Sequence, residues 1–301
     1  MLSALVVPVL CRHTTAASCD LRCATLNIRS LTNKVNDVEM LWRECQLDLM
    51  CLTETWHEDA DDVPLRRLRA GDLQVVEQAH PVLPKAKVDD THFQNYGGVA
   101  LIASSAVRLT VLTPPLQSNT FELLCVRIVV GGKACIVAIV YRPGSEKVPA
   151  SFPDELGVLL ECMSSFSMPI AITGDMNVKF DRPDDPMTHR INELLSTYGA
   201  TQMINDVTHK RGGILDVVIA RDEDVSTVEV ADQPGDICDH KLLSWKFQVA
   251  ETEPKIYKTH SRRKWKTFAL EAFKSNHRSS SLCDALGQDD VMTCPRKSSI
   301  L

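Results

Sequence analysis

An acid stands inside an otherwise apolar run, Ile214-Leu215-Asp216-Val217-Val218-Ile219, and this placement constrains the chain more than any other. A short apolar run of this kind reads as a buried strand. A buried carboxylate is costly unless a cation or a hydrogen-bond donor answers it, so the chain has to supply Asp216 with a partner. The candidate is His240, in Cys238-Asp239-His240 just ahead of the alternating run 242–249. An imidazole held by a buried acid is oriented and made more basic, which suits proton handling or the stabilisation of charge on a phosphate.

The same pattern, an apolar strand running out onto polar residues, recurs along the chain. Residues 169–173 read as a short strand, and Gly174 predicts a turn that presents Asp175 and Asn177 together, an acid and an amide able to hold one water and one phosphate oxygen. Residues 20–27 alternate as a strand ending at Asn27, with Arg29 just beyond. Val35, Val38, Leu41, Trp42 and Cys45 then fall at helical spacing, with Thr32 as the predicted N-cap. Residues 47–53 read as a second buried strand, ending at Glu54, Thr55 and Trp56, where Trp56 is taken as packing. A strand, helix, strand unit with polar residues at both strand ends is how an α/β protein assembles a site.

Residues 57–96 show no clear period and read as a loop region with one short helix over 64–70. Strands follow over 99–103, 123–130 and 134–140, the last two joined by Gly131-Gly132 as a tight hairpin. The hairpin leads to Tyr141-Arg142-Pro143-Gly144, where Tyr141 reads as half-buried packing and Arg142 as a donor fork suited to phosphate. Helices are predicted over 152–166 and 187–198, separated by the acidic turn 181–186. A strand-like stretch over 201–207 precedes Thr208-His209-Lys210-Arg211-Gly212-Gly213 and the strand 214–220.

With 301 residues, 44% of them hydrophobic, the chain suffices for one large α/β domain of roughly 250 residues or two small ones. Its 11 cysteines form no C-x-x-C pair, and Cys51, Cys125 and Cys135 sit in strand-like runs. They read as buried free thiols of a reducing compartment rather than a disulfide framework or a zinc site. The net charge of -6 is unevenly spread: residues 255–278 hold eight basic residues against Glu271, giving +7, residues 279–301 carry -1, and -12 remains for residues 1–254. An acidic domain with a basic tail points to phosphate contact through the tail. The apolar run 2–10 has no preceding Lys or Arg and reads as a disordered leader over 1–20 rather than a signal peptide. No segment is long enough to span a bilayer, so no membrane partner is expected.

Taken together, L-N-I-R-S-L (26–31), L-T-E-T-W (52–56), Y-G-G-V-A-L (96–101), V-Y-R-P-G (140–144), G-D-M-N (174–177), G-I-L-D-V-V (213–218) and C-D-H (238–240) resemble the endonuclease/exonuclease/phosphatase superfamily. More narrowly they resemble the apurinic-endonuclease-like domain of non-LTR, LINE-type retrotransposons of the Jockey-like kind. The resemblance covers residues 21 to about 249, with the motifs in family order. It implies a four-layered α/β sandwich, two packed mixed β-sheets flanked by helices, of the DNase I-like kind. It also divides the chain into a leader (1–20), the catalytic domain (21–250) and a basic tail (251–301) similar to the linker that precedes the reverse transcriptase, before which this chain stops as a truncated element product.

The implied activity is phosphodiester hydrolysis with magnesium, or manganese, and no small-molecule cofactor. By motif, Glu54 would be the principal metal ligand, with Asn27 close to metal and phosphate and Asp239 completing the metal side. Asp175 would activate water, Asn177 would hold the phosphate or that water, Tyr141 would contact the phosphate, and Asp216 would orient His240 toward the transition state. Arg29, Arg142, Lys210, Arg211, Arg262, Arg263 and Lys264 would meet nucleic acid. The partner would be target-site DNA, with element RNA at the tail, in the nucleus. The family usually has Ser where Cys238 stands, and a thiol is the weaker donor, so reduced activity at worst is the expected consequence, the acids and His240 being intact. Two alternatives stand beside the nicking nuclease: a repair-type or other phosphoesterase of the same fold, and a silent remnant that binds nucleic acid only through residues 255–278.

Overall fold

The computed structural model describes residues 20–80, 96–144, 147–221, 223–248, 250–251 and 270–278. Residues 1–19 of the expected leader, and Arg262, Arg263 and Lys264, lie outside them. The chain divides into two compact units, Met1–Thr252 and Glu253–Leu301.

The first unit begins with β1 (Asp20–Asn27), α1 (Val35–Glu44), β2 (Leu49–Thr53), α2 (Val63–Ala70) and β3 (Leu73–Gln78). It continues with β4 (Val99–Ser104), β5 (Arg108–Leu112), β6 (Glu122–Val130), β7 (Lys133–Tyr141), α3 (Phe152–Ser164) and β8 (Ile170–Asp175). Then come α4 (Pro186–Thr197), β9 (Thr201–Gln202), β10 (Asp216–Ala220), β11 (Val225–Ala231), β12 (Leu242–Gln248) and β13 (Ala250–Glu251). The described part of the second unit is the helix α5 (Leu270–Arg278).

The strands form two mixed sheets. One runs β11-β12-β1-β2-β4-β3, the other β5-β6-β7-β8-β10-β9 with β13 paired to β7. The central strands are buried on both faces, so they read as continuous apolar runs rather than alternating ones. In β2, Leu49 and Cys51 turn into the core between the sheets, while Met50 and Leu52 turn to the cluster that contains Val35, Val38 and Leu41 of α1 and Leu65 and Leu68 of α2. The second sheet likewise backs onto α3 and α4 through Leu156, Leu159, Ile191 and Leu195. The result is helix, sheet, sheet, helix, as the motifs implied.

One polar column runs through the apolar core between the sheets. Trp245 Nε1 donates to Thr25 Oγ1 at 3.2 Å, Thr25 Oγ1 lies 2.7 Å from Thr173 Oγ1, and Thr173 Oγ1 donates to the Val217 carbonyl at 2.7 Å. Each hydroxyl has one proton, so the order is Trp245 to Thr25 to Thr173 to Val217. Strand side chains repeat every two residues, so Asn27 of β1 and Asp175 of β8 extend this column upward.

Several sequence expectations need correction. The helix α1 starts at Val35 with Lys34 as a cap position that makes no side-chain capping bond, not at Thr32. The region 57–96 holds β3 beside its helix, and the stretch over 201–207 is only the two-residue β9. The strands β3, β5 and β11 went unread because they lie at or near sheet edges and are half exposed, which dilutes the apolar pattern. Asp216 opens its strand rather than interrupting it. Gly174 does not make the turn: it lies within β8 at φ +131°, and a Cβ there would come within 2.1 Å of the Val140 carbonyl oxygen. The left-handed turn residue is Asn177, at φ +50°.

Gly174→Ala is therefore expected to destabilise the domain by about 3 kcal/mol, combining backbone strain with overpacking. Urea denaturation measures this; a loss below about 1 kcal/mol would contradict the close β7–β8 approach.

Candidate active site

Topology decides which strand ends meet. The parallel pairs β1–β2 and β7–β8 contribute their C-terminal ends, carrying Asn27, Glu54, Tyr141 and Asp175. The antiparallel β10 and β12 contribute their beginnings: Asp216 pairs directly with Asp175, and His240 lies just before β12. A cleft of about 310 Å³ at this edge is lined by Arg29, Glu54, Trp56, Tyr96, Tyr141, Pro143, Gly144, Asn177, His209, Arg211, Asp239 and His240.

Asn27 joins the two sheets at the floor of this cleft. Its Nδ2 donates to Glu54 Oε1 at 2.8 Å and to Asp175 Oδ2 at 2.8 Å, and its Oδ1 accepts from Arg29 N at 3.1 Å. The residue is fully buried, so it acts here as a bridge between two carboxylates. Asp175 also accepts from Asn177 N at 2.8 Å and from Asn177 Nδ2 at 3.0 Å. The second Asn177 amide proton goes to the Arg142 carbonyl at 2.8 Å, which leaves its Oδ1 for a water or phosphate group. A Cβ on Gly144 would lie 2.4 Å from that Oδ1, so only glycine leaves the atom accessible there.

Opposite lies the expected pair: His240 Nδ1 is 2.8 Å from Asp216 Oδ2, and Nε2 is 3.9 Å from Asp175 Oδ2. Burial and then the neighbouring Asp216 push the Asp175 carboxyl well above the ordinary carboxylate range, with His240 and the amide donors offsetting only part. Burial opposes charge on His240, but the carboxylates of Asp216, Asp175 and Asp239 outweigh it and raise its pKa to about 9. The Tyr141 hydroxyl donates to the Tyr96 carbonyl at 3.2 Å, and burial holds it far above the ordinary phenol range, so it acts as a neutral donor.

The basic residues separate into two groups. Arg29 and Arg211 line the cleft. Arg142 does not serve as a phosphate fork: it is 3% exposed and donates to the carbonyls of Met176, Pro143 and Asn177, each at 2.7 Å. It locks the Asn177 turn instead. Lys210 is committed to Asp236 and, at 2.6 Å, to the Cys238 carbonyl. The Cys238 thiol donates to the Asn27 carbonyl at 3.1 Å and accepts from Gln233 Nε2, tying the Asp239-His240 turn to the end of β1.

The arrangement fits a divalent cation. Among the described residues, two acidic–histidine groups bring ligand atoms together, His209–Asp239–His240 and Asp175–Asp216–His240. Oδ1 of Asp239 and Oδ1 of Asp216 are buried without a hydrogen-bond partner among the described residues, a cost that a cation or water would relieve. The His240 imidazole is a poor ligand here, because it is cationic and paired with Asp216. The carboxylates of Glu54 and Asp239 on the open side of the cleft are the better holders, as hard oxygen donors.

Sequence reasoning missed three features. His209 stands against Asp239 and His240. Trp56 packs edge to face on Tyr96, centroids 4.9 Å apart, in the cleft wall rather than the core. Beneath the Glu54 turn, Thr55 Oγ1 meets His57 Nδ1 at 2.6 Å, His57 Nε2 meets Glu77 Oε2 at 2.6 Å, and Glu122 Oε2 accepts from Gly98 N at 2.7 Å. The cue lay in the polar residues after the second and third strand ends, which gain meaning only once β3, β4 and β6 are placed together.

His240 titrates higher folded than its ordinary 6.5, so the folded state holds an extra proton up to about pH 9. The stabilisation is complete below about pH 6.5 and disappears as pH rises through about 9. Imidazole NMR of the metal-free protein should show this, with the pKa falling in Asp216→Asn; a wild-type value near 6.5 would contradict the pairing.

The sequence model of the Endonuclease/Exonuclease/phosphatase family matches residues 24–238. No curated protein matches the chain. Among solved structures, the fold is similar to the 3′ phosphatase NExo from Neisseria bound to a product DNA hairpin, at 15% identity and TM-score 0.56, covering 76% of this chain and 99% of that one. It is similar to the endonuclease domain of TRAS1, a telomere-specific non-LTR retrotransposon, at 12% identity and TM-score 0.55, covering 76% and 99%. An AP endonuclease from Archaeoglobus fulgidus matches at 17% identity and TM-score 0.55, covering 75% and 99%. At these identities the structural likeness is one of fold. The family match, spanning most of the chain, makes this protein a member of the endonuclease/exonuclease/phosphatase family.

Proposed function

We propose that the protein is a magnesium-dependent DNA endonuclease of a non-LTR retrotransposon, which nicks target DNA and leaves a 3′ hydroxyl to prime reverse transcription. The observation that carries this reading is the buried Asp175 carboxylate 3.9 Å from the imidazole of the Asp216–His240 pair, with His240 lining an open cleft of about 310 Å³. The seven motifs in order, and the fold shared with a retrotransposon endonuclease, support the narrower assignment.

Glu54 and Asp239 would hold the cation, magnesium or manganese, which when bound neutralises phosphate charge and stabilises the leaving oxygen. Asp175, raised toward neutral pH, takes the proton from a water that Asn177 Oδ1 orients; the water oxygen bonds to phosphorus as the P–O3′ bond breaks, and the departing O3′ takes a proton from solvent to become the 3′ hydroxyl. The His240 imidazolium, held by Asp216, donates to a phosphate oxygen as negative charge builds there, and Tyr141 adds a neutral donor. Arg29 and Arg211 at the cleft wall, with the basic tail, contact the DNA backbone. The enzyme would act in the nucleus, where its target lies.

Conversion of supercoiled plasmid to open circle tests the proposal. Magnesium or manganese should support nicking and EDTA should abolish it, while His240→Ala and Asp175→Asn should each lower the rate by roughly 10³-fold. Nicking unchanged by EDTA and by both substitutions would remove the mechanism. A parallel panel of plain, abasic and non-nucleic phosphoesters separates the retroelement nuclease from a repair-type enzyme, which would favour the abasic duplex. DNA binding with no nicking by wild type would instead identify a silent remnant.

A further inference from the structure

One oxygen of Asp239 is engaged twice while the other has no partner among the described residues. Arg29 Nη1 lies 2.6 Å from Oδ2 and His209 Nε2 lies 3.5 Å from it. Oδ1 is buried without a hydrogen-bond partner among the described residues. The proton on His209 is located by the other ring nitrogen. The backbone N–H of Arg211 donates to His209 Nδ1 at 3.0 Å, so Nδ1 carries a lone pair and the neutral ring has its hydrogen on Nε2, toward Asp239. A ring in that tautomer cannot offer Nε2 to a metal, although it stands within reach of one. His209 stands with its Nε2 3.5 Å from the carboxylate, as a partner to Asp239 and not as a ligand.

The backbone holds this donor in place. His209 and His240 form an isolated antiparallel bridge, Lys210 N donates to the Asp239 carbonyl at 2.9 Å, and Lys241 N donates to the Thr208 carbonyl at 2.7 Å. The two rings meet edge to face with centroids 4.7 Å apart. Thr208 Oγ1 accepts from the backbone N–H groups of Leu215 and Asp216 at 3.0 and 3.1 Å. Two adjacent residues thus reach both halves of the centre: Thr208 holds the start of the strand that carries Asp216, and His209 faces Asp239.

On the metal-dependent reading above, we infer that His209 is a positioning residue. With Arg29 it engages Oδ2 of Asp239 and so leaves Oδ1 as a one-oxygen ligand facing the divalent cation. Arg29 is exposed in the cleft wall, so substituting it would mix DNA contact with carboxylate orientation; His209 is the more buried of the two, and because its ring also packs on His240 the Gln variant is needed beside Ala.

Mn²⁺ binding to the metal-free protein, read by electron paramagnetic resonance of the free ion, tests the inference on wild type, Glu54→Gln, His209→Ala and His209→Gln. His209→Ala should weaken Mn²⁺ binding about tenfold, a usual consequence of removing a hydrogen-bond partner of a ligand. His209→Gln, whose amide can donate from nearly the same place, should recover most of that loss. In plasmid nicking, the half-saturating Mg²⁺ concentration of His209→Ala should rise about tenfold while the rate at saturating Mg²⁺ changes less than about twofold. If Glu54→Gln loses Mn²⁺ affinity but His209→Ala does not, or if His209→Gln is as weak as His209→Ala, the positioning role is wrong and the metal-dependent reading stands. If wild type binds no Mn²⁺, both fall together.

Discussion

The structure depends on a carboxylate that is buried from bulk solvent. Asp175 sits where the two sheets meet and is neutralised from both sides: amides of Asn27 and Asn177 on one, the His240 imidazolium on the other. Charge in such a place is tolerated only when its partners are delivered with good geometry. Those partners come from β1, from the turn after β8 and from the turn before β12, so the sheets must pack in one register for the site to exist. The polar column below, from Trp245 through Thr25 to Thr173, sets that register, because an unmatched hydroxyl at the same depth would be costly.

The loops around the cleft carry strain that the rest of the fold largely avoids. Of nine non-glycine residues with positive φ among the described residues, five (Arg29, Ser30, Glu54, Trp56 and Asn177) lie in the turns that build the site. Each such residue costs of order 1–3 kcal/mol and persists only where its surroundings over-determine it. Here those surroundings are visible. Ser30 N and Leu31 N bond to the carbonyls of Glu54 and Thr55, Trp56 N bonds to the Gly97 carbonyl, and Arg142 clamps the Asn177 turn. Arg142 thus contributes by rigidity, holding backbone where a surface arginine would have held phosphate.

Charge is divided in the same spirit. The acidic centre gathers carboxylates whose repulsion is relieved by one imidazolium, by Arg29 on Asp239 and by whatever cation the open side receives. Burial works against the Asp239 charge, yet a backbone donor and Arg29 keep its carboxyl below its usual value. The clustering of basic residues in 255–278 stands against the net charge of -12 carried by residues 1–254.

Much of this was legible in the chain itself. A lone acid in an apolar run demanded a partner, and a histidine beside another acid ahead of the last strand answered it. The same logic marked Asn27, Glu54 and Asp175, because apolar strands ending on polar residues are a local signal that survives folding unchanged. The half-exposed strands β3, β5 and β11 escaped it, since their character comes from neighbours rather than from their own composition. So did the fates of Arg142, Lys210 and His209. Whether a basic side chain faces a ligand, a carbonyl or a carboxylate depends on what the tertiary structure places within 3 Å or so of it, and distance between residues far apart in sequence is not a local property. Sequence alone determined which residue types could do phosphoester chemistry and in what order they arrive; only the packing of two sheets decided which of them share one cleft, because that requires strands from opposite ends of the chain to lie side by side.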